Sequence, residues 1–300
     1  MDSSFPAPMS NRKLAIAAWV VTILVSTVPD IGFDKLAGGI PSWLTYAKAG
    51  LLLALCLIAC FWKPFRQMRH FFFAMFAFFG LMELRVRLNF SWPALQAVFG
   101  NNVFDQRMQA EQTGKLAVSF GMIVTLLAMG YRRREFFLTR GNLGAPITPV
   151  PLLGFPKPDP WYRFGLQWSI YIAAALTLFQ YFSIRPSSNV WLRVVPVLPS
   201  ILFYAALNAL NEEITFRSPM LATLEPAVGS MQALWISAFF FGIAHYFGTP
   251  GGIVGGILSI FMGWILGKGM LETRGLFWTW WIHFLSDISI FTFLTVALVS

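Results

Sequence analysis

Two adjacent glutamates and an arginine, Glu212, Glu213 and Arg217, interrupt one of the most apolar stretches of this chain. Two of its three histidines follow on later hydrophobic runs: His245, four residues after Phe241, and His283, four residues before Asp287. Ionisable groups are costly at membrane depth, so where they occur they line a cavity used for chemistry or transport. Peptide hydrolysis needs a general base for water, a donor for the tetrahedral oxyanion and an acid for the leaving amine. Glu212 can serve as base and then as acid, His245 can position the water, and His283 can donate to the oxyanion. Asp287 can hydrogen-bond His283 or a ligand.

The spacings say which side chains can meet. Glu213 and Arg217 are four apart, share a helix face and are expected to pair. Glu212 points about 100° away, so it is expected to stay free to face a cavity. By the same spacing Phe241 stacks a turn from His245, where its ring can wall off and orient the imidazole. Each motif alone has a plainer reading: a solvated helix end, a packing histidine, a local His-Asp hydrogen bond. Three in succession on spanning runs point to a site. A zinc centre of His245, His283 and Glu212 with an open fourth position is the alternative chemistry. The chain lacks a His-Glu-x-x-His ligand pair, so metal-independent glutamate catalysis with no cofactor is favoured. It also lacks the Gly-x-Ser-Gly and Gly-x-Gly-Asp signatures of other intramembrane proteases. Two readings from other classes stand beside the enzyme: a proton or ion relay transporter, and a non-catalytic immunity or binding protein built around the same cluster.

The elements that must position these residues are membrane helices. The 300 residues are 57% hydrophobic, 17% aromatic and only 12% charged, far below the roughly 25% charged of soluble domains. Runs of near 20 apolar residues suit helices that satisfy their own hydrogen bonds, and are too long for barrel strands. The expected fold is all-α, a polytopic membrane protein of about eight or nine transmembrane helices with a C-terminal helical catalytic core. Helices are predicted near 13–28, 46–62, 70–84, 115–131, 164–183, 193–217, 230–247, 251–271 and 275–299. The third run is short and flanked by Glu83, Arg85 and Arg87, which suggests a half-buried or re-entrant piece. The net charge of +9 sits mainly in short loops (Lys63, Arg66, Arg69; Arg132, Arg133, Arg134), so the partners are anionic lipids, not nucleic acid. Those loops predict a cytoplasmic N-terminus; the expected location is a bacterial inner membrane. No convincing cleavage site precedes Pro29, so the first run reads as a retained helix rather than a signal peptide.

Prolines and glycines crowd residues 141–163 and divide the chain. Residues 1–140 are expected to form N-terminal membrane helices without intramembrane charge clusters, 141–163 a loop, and 164–300 the core with all the candidate chemistry. Cys56 and Cys60 read as small buried hydrophobes. Gly251, Gly252, Gly255, Gly256, Gly263 and Gly267 form small-xxx-small pairs that let helices approach closely. One difficulty remains in depth. Glu212 and His245 each lie near the end of their run, so simple antiparallel spans would place them on opposite sides. The segment from Ser218 to Gly229 is therefore expected to fold back as a short re-entrant piece.

Over about residues 195–298 the chain resembles the CPBP intramembrane proteases, which include type II CAAX prenyl endopeptidases and bacteriocin-processing enzymes. Their pattern is Glu-Glu-x-x-x-Arg, Phe-x-x-x-His and His-x-x-x-Asn or Asp. Glu212, Glu213 and Arg217 match the first element, Phe241 and His245 the second, His283 and Asp287 the third. The resemblance implies an endopeptidase acting on a membrane-associated protein or peptide, with Glu212 and His245 activating water and His283 with residue 287 stabilising the oxyanion. Many members carry Asn where this chain has Asp287. An ionised Asp cannot donate a hydrogen bond, so Asp287 is expected either to be protonated or to orient His283.

Overall fold

Apolar runs punctuated by Gly, Pro and charged residues become, in the computed structural model, an assembly of helices. Residues 12–100 and 102–299 are described; the first eleven residues, Asn101 and Ser300 lie outside them. The helices are α1 Arg12–Val25, α2 Val28–Ala37, α3 Trp43–Phe61, α4 Arg69–Arg87, α5 Pro93–Gln96, α6 Val103–Ala128, α7 Trp161–Ile184, α8 Val190–Val194, α9 Leu198–Glu212, α10 Ser218–Val228, α11 Ser230–Ala244, α12 Gly252–Thr273 and α13 Phe277–Val299. Among the described residues there is no strand, only isolated bridges Pro146–Pro160 and Val150–Phe155 in the proline-rich loop. The all-α expectation holds, and each of the nine predicted runs contains a helix.

The expected eight or nine spans are not confirmed by length and apolarity alone. Four helical stretches are long and apolar enough to cross a membrane: Trp43–Phe61, the composite Val190–Val228, Gly252–Thr273 and Phe277–Val299. The pair α1 and α2, bent by 43°, makes a fifth if taken as one broken span. Length and charge keep other helices below that measure. Helix α11 has only 15 residues, α4 carries Glu83, Arg85 and Arg87, and α6 carries Asp105, Arg107, Glu111 and Lys115. The multi-pass character stands: several apolar helices mark an integral membrane protein.

Local chemistry explains where boundaries moved. Helix α4 is one continuous 19-residue helix; Glu83 and Arg87, one turn apart, pair at 2.8 Å on its last turn. Helix α6 begins twelve residues before the predicted 115, because Asn102 caps it by accepting from the Asp105 amide at 2.9 Å. Helix α2 follows a break at Ser26-Thr27, with Pro29 in its first turn. At that break Lys48 of α3, buried, donates to the Ser26 carbonyl at 2.7 Å and pairs with Asp30. The N-terminal helices therefore do contain a charge pair within a span, contrary to expectation, where a lysine satisfies a carbonyl freed by the helix break.

The depth problem is resolved by a longer helix. The re-entrant fold expected for Ser218 to Gly229 is absent. Helix α9 passes through one wide π turn, Glu213–Arg217, and continues as α10 to Val228. Gly229, at φ +84°, makes the turn into α11. Arg217 and Phe241 are equally far in sequence from that turn, and they touch: the guanidinium lies 4.6 Å over the ring. Glu212 and His245 are each about 25 Å of helix from the same turn, by the rise of about 1.5 Å per residue. The hairpin thereby places both at a similar height above the same turn. Helix α12 returns tightly against α11; a Cβ on Gly242 would stand 2.3 Å from the Ile260 amide nitrogen. Helix α13 then packs on α7, α9 and α12.

Candidate active site

The π turn at Glu213–Arg217 governs how the two carboxylates are presented. The Ser218 amide donates to the Glu213 carbonyl across it, and such wide turns recur at functional sites. Both glutamates reach one imidazole. His283 Nδ1 lies 2.7 Å from Glu213 Oε1, and His283 Nε2 lies 3.6 Å from Glu212 Oε2. Glu213 also pairs with Arg217, as expected from the spacing, and both are fully buried. A carboxylate paired with arginine only accepts, so His283 Nδ1 carries the proton and Nε2 turns toward Glu212. The bond that orients His283 comes from Glu213, not Asp287. Asp287 Oδ2 stands 3.7 Å from His283 Nε2 and accepts from Asn208 Nδ2 at 2.9 Å.

Phe241 is the hub between the histidines. Its ring lies 4.6 Å from the His245 ring and meets His283 edge-on at 5.8 Å. His245 Nδ1 donates to the Phe241 carbonyl at 2.9 Å, which leaves Nε2 as the acceptor nitrogen of the neutral ring. Arg217 is buried with Nε and Nη2 lacking hydrogen-bond partners; its position over Phe241 supplies a cation–π contact instead, of about 2 kcal/mol when desolvated.

Glu212 is not free, as the spacing had suggested. Lys115 Nζ of α6 lies 2.9 Å from Glu212 Oε1, 2.6 Å from Asn208 Oδ1 and 3.3 Å from Glu111 Oε1. A carboxylate below the surface recruits a cation, and the nearest one lies outside the segment that held every motif. Gln112 donates to Asn208 Oδ1 at 2.9 Å, and Ser119 bonds Asn211 and Thr215. Lys115, Asn208 and Gln112 are thus site neighbours that the sequence reading missed. One signal was present: Asn208 precedes Glu212 by one turn, on the same face.

Among the described residues no group of three His, Cys, Asp or Glu is arranged to hold a metal. In the His245, His283 and Glu212 set one atom of each is held: Glu212 Oε1 by an ammonium, His283 Nδ1 by Glu213, and His245 Nδ1 by a carbonyl, which leaves Glu212 Oε2 and the two Nε2 atoms for chemistry.

No curated protein and no solved structure matches the chain. Residues 194–289 match the model of the family described as Type II CAAX prenyl endopeptidase Rce1-like. That segment runs from the end of α8 into α13 and contains every residue of the three motifs, from Glu212 to Asp287. Over these C-terminal helices the chain is similar to that family, which is consistent with the CPBP resemblance of its motifs.

Proposed function

We propose that the protein is an intramembrane endopeptidase that hydrolyses a peptide bond of a membrane-associated protein or peptide without a metal. The observation that carries this reading is the meeting of Glu212, Glu213, Phe241 and His283 in one contact group, inside a segment matching a prenyl endopeptidase family. Glu212, with Oε2 not used by Lys115, takes a proton from water that His245 Nε2 helps to aim. The hydroxide adds to the peptide carbonyl. His283, held at Nδ1 by Glu213, presents a protonated Nε2 to the oxyanion. Glu212 then returns its proton to the leaving amine. Asp287, fixed by Asn208, bounds the oxyanion side. An apolar groove of about 280 Å³ lined by Ile243, Tyr246, Ile257 and Ile260 flanks the His245 segment, and suits a substrate that arrives within the bilayer.

The test is cleavage of a prenylated CAAX peptide, and of a set of membrane-anchored peptides, by the purified protein in liposomes. Glu212→Gln and His245→Ala are expected to fold normally and lose activity by about 10²–10⁴-fold, the usual contribution of a general base. EDTA or phenanthroline is expected to leave the rate unchanged. Full activity in Glu212→Gln overturns the protease reading; loss with chelator and restoration by Zn²⁺ overturns the metal-free mechanism. Proton flux dependent on Glu212 would favour the relay transporter.

A further inference from the structure

Helix α6 presents a polar stripe at helical spacing, Gln109, Gln112, Lys115 and Ser119, within a helix of 26 residues. Three of these side chains meet a matching stripe on α9 and the π turn: Gln112 and Lys115 reach Asn208, Lys115 reaches Glu212, and Ser119 reaches Asn211 and Thr215. Facing polar stripes are expensive in a membrane unless they are satisfied by each other. Here the two stripes satisfy one another directly. Helix α6 lies outside residues 194–289, the segment matched to the protease family.

We propose that Lys115 is a positioning residue for Glu212, and that α6 is therefore a working part of the site. This rests on the endopeptidase reading for its consequence in catalysis, but not for the contact itself. Lys115 donates to Glu212 Oε1 at 2.9 Å, which fixes that oxygen and leaves Oε2 on the His283 side, 3.6 Å from Nε2. The same ammonium holds Asn208 Oδ1 at 2.6 Å. Asn208 in turn donates through Nδ2 to Asp287 at 2.9 Å, so the amide cannot flip without losing both bonds. One cation thereby sets the orientation of the carboxylate that handles water and, through Asn208, of the carboxylate beside His283. Glu111, at 3.3 Å and one turn before it, keeps the ammonium from being drawn wholly to Glu212.

Lys115→Met keeps length and removes the charge; Lys115→Arg keeps the charge and two or more donors. With the cleaved peptide as substrate, Lys115→Met is expected to lower kcat at least 100-fold with KM within threefold, and Lys115→Arg to recover at least a tenth of the wild-type kcat. Thermal melting in detergent checks that both variants fold. A substrate-independent arm uses a hydrophobic carbodiimide, which attacks carboxyl groups within membranes, with the modified residue read by mass spectrometry. Ion pairing shields Glu212, so its labelling is expected to rise at least fivefold in Lys115→Met and to stay low in Lys115→Arg. Wild-type kcat in Lys115→Met, or unchanged Glu212 labelling in a folded variant, overturns the proposal. Raised labelling in Lys115→Met when the wild-type protein cleaves no peptide supports the placement of Lys115 and overturns the protease reading alone.

Discussion

Glu213 has two partners at once, Arg217 on one oxygen and His283 on the other, and has no exposed side chain at all. Its role is to hold an imidazole and neutralise a guanidinium, not to meet water. Replacing it by Gln leaves Arg217 without a counter-ion in a site with no solvent, a loss of about 3–5 kcal/mol for broken buried pairs. Glu213→Gln is therefore expected to melt markedly lower in detergent, whereas Glu212→Gln, whose residue keeps some exposure and can still accept from Lys115, is expected to change melting little. Asp287 presents a different case. His283 is oriented from its other nitrogen, and Asn208 bonds Asp287 through its amide. An Asn at 287 can accept that same bond through its carbonyl, so Asp287→Asn is expected to keep activity within about tenfold, the change from a charged to a neutral bond costing about 1–1.5 kcal/mol. Activity assays at saturating substrate check this, and a loss beyond a hundredfold would assign Asp287 a direct part in the chemistry.

At the scale of elements, the α10–α11 hairpin and the α11–α12 contact decide the geometry. The first gives Glu212 and His245 a similar height above one turn. The second depends on small residues: a side chain at Gly242 meets the backbone of Ile260, and one at Gly263 would press on Ala238 at 3.2 Å. Backbone atoms cannot swing aside as a flexible side chain does, so α12 must move. Gly242→Val is expected to cost about 1–3 kcal/mol from overpacking and to displace His245, three residues later. A shift of about 1 Å in a catalytic group lowers rates by about 100-fold, so kcat should fall further than stability alone explains. A conformationally matched control is Gly256→Ala, which meets only the Gly242 carbonyl at 3.9 Å and is expected to retain activity and melting temperature.

For the whole molecule, the basic loops after α3 and after α6 are expected to share one side of the membrane, with the α4–α6 connection opposite. Cysteines placed at Arg66 and Arg133, in a protein whose Cys56 and Cys60 are changed to Ala, should react with an impermeant maleimide only in inverted vesicles. A cysteine at Asn89 should react only from the other side. Reaction of Arg66→Cys and Asn89→Cys from one face would mean that α4 does not cross. Residues before 140 reach the candidate site, since α6 packs on α9 and Lys115 contacts Glu212.

All-helical architecture, the nine main helical runs, the Glu213–Arg217 pair and the placing of Phe241 against His245 were legible in the sequence, because each follows from local period or four-residue spacing. So was the resemblance carried by Glu212, His245 and His283, whose residue types are rare in apolar runs. Tertiary structure decided the rest. The continuation of α9 through a π turn into α10 depends on contacts made beyond residue 217, and the Lys48 clamp on the α1–α2 break pairs residues that local spacing does not connect. Lys115 and Glu212 are 97 residues apart; no periodicity links them. Their meeting follows from a long-range requirement, that a charge held below the membrane surface find its opposite, and only the packed helices show which residue answers it.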